Sequence, residues 1–142
     1  MIIQKTPTVS RCHYSVLYGD TDQMGIVYHV NYLKYMEIGR VEYLRDQGWV
    51  YRDMEASGIR IPVLNVNVDY KAPAFYDDKL DIETRLKKLT RVRIEFDYEI
   101  YRNDDRKLLV TGSTSHVFAG NDNKPKRVDQ SVLDRIEKGT ET

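Results

Sequence analysis

Four successive segments between Leu64 and Phe118 change polarity at every second residue, and a single segment before them keeps a three-to-four-residue period. Leu64, Val66, Val68 and Tyr70 share one face, with Asn65, Asn67 and Asp69 opposite. Leu80, Ile82, Thr84 and Leu86 alternate with Asp81, Glu83, Arg85 and Lys87. Val92, Ile94, Phe96, Tyr98 and Ile100 alternate with Arg93, Glu95, Asp97 and Glu99, and Leu108 to Phe118 continues the series. A two-residue period is that of a half-buried strand. Pro73 with Asp77-Asp78, then Asn103-Asp104-Asp105, then Gly120-Asn-Asp-Asn supply the turns between and after these strands. Upstream, Cys12, Tyr14, Val16 and Tyr18 alternate with Arg11, His13 and Ser15 in a first strand.

The helical segment runs from Tyr32 to Gln47. Leu33, Met36, Gly39 or Arg40, and Tyr43 with Leu44 form its apolar stripe. Gly39 is a poor helix former, costing ~1 kcal/mol relative to Ala, and close approach of the helix to another backbone would account for it. Gly48 is a stop signal. Residues 51–58 read as irregular with a short helix, and Asp129 as the N-cap of a terminal helix that buries Val132, Leu133 and Ile136. Strand, long helix and four further strands predict an α+β layer of one helix on a mostly antiparallel five-stranded sheet. One helix cannot cover so wide a sheet, so a second subunit is expected to cover or extend it.

At 142 residues the chain is expected to form one domain over 1–142, with its core within roughly 8–138. Lys plus Arg and Asp plus Glu number 22 each, so no overall field favours nucleic acid or an anionic membrane, and an anionic ligand needs a local basic patch. Residues Met1 to Pro7 lack an apolar leader core, and no run approaches ~18 apolar residues, so neither membrane insertion nor export is expected. The single cysteine, Cys12, excludes an internal disulfide framework and fits a reducing, cytoplasmic setting. Eleven of fifteen aromatics are tyrosine, which suits amphipathic cover of a sheet or a self-association surface.

Chemistry concentrates in Tyr18-Gly-Asp20-Thr-Asp22-Gln-Met24-Gly25-Ile-Val27-Tyr28-His29-Val-Asn31-Tyr32. It begins like a calcium loop, but Met24 cannot ligate calcium and Asn31 stands where a bidentate Glu belongs. A carboxylate beside a helix start fits better. Gly25 permits a tight turn, Ile26-Val27-Tyr28 shield the spot, and a helix opening near His29 to Asn31 leaves amide donors for a negative oxygen. The upstream carboxylate can activate water or attack a carbonyl. Spacing alone leaves open a turn- or helix-capping role for both aspartates. Cys12 and His13 point to opposite faces of a strand and make no catalytic pair; His13 and His116 lack a metal-ligand spacing, and no metal or cofactor is expected. Lys87-Lys88-Leu-Thr-Arg91-Val-Arg93 is the densest basic run, with Lys124, Lys126 and Arg127 a second; neither interleaves aromatics as single-strand nucleic-acid binders do.

The run Asp20 to Tyr32 resembles the signature of hot-dog-fold acyl-CoA thioesterases, of the 4-hydroxybenzoyl-CoA thioesterase type that includes enzymes associated with the Tol–Pal system. The resemblance extends through Val66-Asn-Val-Asp-Tyr-Lys-Ala-Pro-Ala74 and covers roughly residues 10 to 135. It implies a long central helix wrapped by the sheet, a homodimer or homotetramer, and hydrolysis of acyl-CoA. It puts the catalytic carboxylate at Asp22, a structural acid at Asp20, and the oxyanion-donating amide at His29, whose ring either takes a direct part in catalysis or lines the pocket. Gly25, Val27, Tyr28, Asn31 and Tyr32 then shape the substrate site, and Lys88 and Arg91 face the coenzyme A phosphates. Glu37, one turn into the helix, is either a structural or an active-site group. The alternatives are an acyl-carrier-protein thioesterase and a non-catalytic hot-dog module that binds acyl carriers or protein.

Overall fold

The computed structural model describes residues 9–49 and 51–137; the N-terminal stretch Met1 to Pro7 lies outside them. Its elements are β1 (Val9–Ser15), a 3₁₀ turn (Tyr18–Asp20), α1 (Asn31–Asp46), α2 (Tyr51–Ala56), β2 (Val63–Tyr70), β3 (Lys79–Leu89), β4 (Arg93–Arg102), β5 (Leu108–Val117) and α3 (Gln130–Glu137). The strands form one sheet in the order β1-β3-β4-β5-β2, every pair antiparallel. Polarity alternation is what sets the register: Ile82 sits opposite Ile100, and Leu86 opposite Phe96, so the apolar set of each strand faces α1.

The core lies between that face and the helix. Tyr32, Tyr35, Met36, Gly39, Tyr43 and Leu44 of α1 are buried against Leu80, Ile82, Ile94, Phe96 and Tyr98. The buried stripe differs from the expected one at its first turn, where Leu33 stays exposed and the tyrosines on either side of Lys34 and Leu33 go inside. Their hydroxyls have partners there: the Ala74 amide donates to Tyr32 Oη at 3.2 Å, and Tyr35 Oη donates to Asp20 at 3.1 Å. A phenol so satisfied can be buried at little polar cost.

Gly39 permits close packing, but against side chains of the sheet rather than another backbone. A Cβ there would stand 2.4 Å from Thr84 Oγ1 and 2.9 Å from Ile82 Cγ2. α1 ends as expected at Gly48, whose φ of +80° lets the Trp49 amide donate back to Leu44. α3 begins directly after Asp129, whose carbonyl accepts from the Val132 amide.

Coverage of the sheet is uneven. α1 packs on β1 and β3 and reaches β4. Val66 and Tyr70 of β2 share the helix-facing side with Thr114 and Val110, yet remain 38% and 50% exposed. Among the described residues the outer edge of β2 is unpaired.

Candidate active site

Strand β1 stops earlier than its alternation implies. After Ser15 the chain bends through Leu17 into the 3₁₀ turn, because the buried Asp20 carboxylate accepts the Leu17 amide at 3.1 Å. The same carboxylate accepts Tyr14 Oη at 2.6 Å, Lys34 Nζ at 2.6 Å and Tyr35 Oη at 3.1 Å. Burial alone would raise its pKa, but these four donors outweigh it and hold the acid below its ordinary value. With both oxygens engaged, Asp20 is a hub that ties β1, the loop and α1 together. Its carbonyl continues the role, accepting from the Tyr28 amide at 2.9 Å and from Asn31 Nδ2 at 2.8 Å.

Asp22 sits in a different setting. Residues 21–27 form a miniature hairpin in which Thr21 pairs with Val27, the Asp22 amide donates to Ile26, and the Gly25 amide closes the turn on the Asp22 carbonyl at 3.0 Å. Gly25 has φ +81°, the left-handed conformation that glycine adopts without strain. Asp22 is half-buried; its Oδ1 accepts the Met24 amide at 2.8 Å, and its Oδ2 meets no donor among the described residues. It is therefore the carboxylate of the pair with an oxygen available for chemistry.

A cleft of about 340 Å³ opens beside the start of α1, lined by Ile26, Val27, His29, Tyr32 and the segment Tyr70 to Pro73. Three of the expected site residues, Val27, His29 and Tyr32, meet on its wall. Asp22, Gly25 and Tyr28 in the preceding loop and Asn31 at the first position of α1 do not line it. Between residues 27 and 33 most amides are engaged: Val27 donates to Ala74, Tyr28 to Asp20, Asn31 to Tyr28, Tyr32 to His29 and Leu33 to Val30. The amides of His29 and Val30 have no acceptor among the described residues. They lie at the N-terminal end of α1, where the helix dipole favours negative charge. Glu37 is exposed on α1, with no cleft contact.

The two basic runs form one patch. Arg91 Nε donates to the Val128 carbonyl at 2.8 Å, and the Val128 amide returns a bond to the Arg91 carbonyl. Next to it Lys126, Arg127 and Arg135 line a depression of about 400 Å³ with Trp49, Arg135 lying 5.2 Å from the indole centroid. Lys88 is exposed near the adjoining C-terminal end of β3. This patch and the cleft are at opposite ends of β3, an eleven-residue strand, so within one chain they are about 30 Å apart at ~3.3 Å per residue. Spacing in the sequence showed neither that the basic runs converge nor that Tyr70 meets His29 across 41 residues. Those contacts come from the sheet topology.

His116 is a core residue, fully buried on β5, with Nδ1 3.0 Å from the Ile61 carbonyl and Nε2 2.8 Å from Thr114 Oγ1. Cys12 is partly buried against the core, and burial, with Glu42 and Asp46 nearby, pushes its thiol up to about 11, which leaves it unreactive.

A family profile described as the Thioesterase-like superfamily matches residues 16–136. The Bacillus subtilis protein YneP is 38% identical over 109 residues, covering 77% of this chain and 78% of its own length. The acyl-CoA thioester hydrolase YbgC of Escherichia coli O6:H1 is 33% identical over 93 residues, 66% of this chain and 69% of its own. A DHNA-CoA thioesterase from Staphylococcus aureus superposes with a TM-score of 0.82 at 37% identity, over 89% of this chain and 85% of that one. The architecture, a long helix cradled by a five-stranded antiparallel sheet, is the hot-dog fold.

Proposed function

The chain belongs to the thioesterase-like superfamily, and from that membership we propose that it hydrolyses acyl-CoA thioesters to a free acid and coenzyme A. The observation that carries this reading is the cleft at the start of α1, lined by His29, whose amide has no acceptor among the described residues. A thioester carbonyl placed there develops its negative oxygen against that N–H and the positive end of the helix. Asp22, with Oδ2 available, takes the proton from the attacking water or attacks the carbonyl itself. The C–S bond then breaks and the thiolate leaves; on the nucleophilic route water then hydrolyses the acyl–aspartyl anhydride, releasing the free acid and restoring Asp22. The thiolate's conjugate thiol is weakly acidic, with a pKa near ~8.5 by analogy with cysteine, so expulsion needs no strong general acid. One carboxylate and an oxyanion pocket suffice. Asp20 is the poorer candidate because its four donors already occupy it.

The coenzyme's phosphates suit the basic patch of Lys88, Arg91, Lys126 and Arg127. The distance between this patch and the cleft supports an active homodimer in which one subunit supplies the cleft and its partner the patch. The uncovered helix-facing side of β2 and its unpaired edge support the same arrangement. A single free, unreactive cysteine suits a reducing cytoplasm.

Thiol release from short, long and aromatic acyl-CoAs, followed with DTNB, tests the reaction. Asp22→Asn should lower turnover by at least ~100-fold while circular dichroism stays unchanged. Release from no thioester in the wild type favours a non-catalytic acyl-binding module. Release from acyl-carrier protein alone reassigns the carrier. Full turnover by the Asp22 variant removes that residue from the mechanism.

A further inference from the structure

The helix start is held from outside the helix. The His29 carbonyl would normally accept the Leu33 amide, but Leu33 donates to Val30 at 3.0 Å, and His29 receives only the Tyr32 amide at 3.4 Å, a long 3₁₀-type bond. Its short bond comes from β2: Tyr70 Oη donates to the His29 carbonyl at 2.9 Å. On the other side, the Asn31 amide donates to the Tyr28 carbonyl at 2.8 Å. That bond fixes the peptide plane carrying the His29 N–H, and the Tyr70 bond fixes the plane that follows. Because peptide units are planar, the Tyr70 bond holds the plane that carries the Val30 N–H, which is the central peptide of the Tyr28–Asn31 turn, and so it stabilises the turn that orients the His29 N–H. The Tyr70 ring also stands edge-on to His29 at 6.1 Å and to Tyr32 at 5.5 Å, so the hydroxyl is delivered by a ring that is itself braced. Burial raises the phenol above its ordinary pKa, so the group remains a donor through neutral pH.

We infer that Tyr70 is a positioning residue: its hydroxyl, reaching from the edge strand, holds the central peptide of the turn that presents the His29 and Val30 amides to the developing oxyanion. This rests on the thioesterase reading given above for the catalytic step, but the positioning itself can be measured without turnover. A misdirected donor loses more in the transition state than in the bound substrate, so the effect falls on kcat.

Tyr70→Phe keeps the ring and both edge-on contacts and removes only the hydroxyl. Its kcat for the best acyl-CoA of the panel should fall about ten- to a hundredfold, with KM within about twofold. In ¹⁵N-correlated spectra of the ¹⁵N-labelled protein, the His29 and Val30 amide resonances should move while those of β4 stay in place. Wild-type kcat in the variant, or a loss confined to KM, overturns the inference. Should the wild type turn over no thioester, the thioesterase reading fails and the amide spectra alone decide. Shifted His29 and Val30 resonances then uphold the positioning role, and unmoved ones end it.

Discussion

Two aspartates a residue apart have opposite environments, and the difference lies in which donors the fold brings to each. Asp20 is enclosed by Tyr14 from β1, Lys34 and Tyr35 from α1, and the Leu17 amide; Asp22 is left with one turn bond. The sequence showed both acids and the helix start, but which acid is occupied depends on groups up to fifteen positions away. The same holds for His116, whose type suggests chemistry and whose surroundings deny it. Burial pushes its pKa down to about 4, so it is neutral in the folded protein where the unfolded chain, near 6.5, is protonated. The unfolded state therefore binds the extra proton between pH 6.5 and 4. Stability is complete above that window and falls through it as pH drops, by on the order of 3 kcal/mol. Urea denaturation from pH 7.5 to 4 measures this. His116→Gln, which keeps a donor and an acceptor, should be less stable at pH 7 but flatter across the window.

At the scale of elements, period predicted the order of strands and the extent of α1 closely, because alternation and a three-to-four-residue stripe are direct consequences of one-sided burial. It failed locally at Val16 to Tyr18, where the alternation continues but a carboxylate pulls the chain out of the ladder. It failed again at Leu33, since a hydrophobicity count ranks leucine above tyrosine and ignores the hydroxyl partners that let Tyr32 and Tyr35 go inside. At Gly39 a close approach was readable beforehand, but its neighbours are the Thr84, Ile82 and Tyr98 side chains rather than the expected backbone. Gly39→Ala gains about 1 kcal/mol of helix propensity, but its methyl must displace Thr84 and Ile82 on β3. A net loss of about 1–3 kcal/mol is expected, read as a lowered urea midpoint with unchanged slope. A midpoint at or above that of the wild type would show that α1 can move off the sheet without cost.

For the whole molecule, the sheet is wider than its helix, and the uncovered strip runs along β2. Val66 stands exposed in that strip. A lysine there leaves the chain's own packing intact but puts a charge where a second copy would bury apolar surface. Val66→Lys should elute as a single folded chain in size-exclusion chromatography with light scattering, while the wild type elutes as a dimer or a multiple of one. A monomeric wild type would send the search for coenzyme contacts back to a single chain. Sequence alone determined the α+β class, the strand succession and the acid-rich loop before the long helix, since each depends on side-chain polarity and spacing between near neighbours. Only tertiary structure decided which aspartate has an oxygen available, that two basic runs are one patch, that this patch lies a full strand length from the cleft, and that Tyr70 braces His29. These are contacts across tens of residues, and they follow from strand order and the reach of individual hydrogen bonds, which no local pattern encodes.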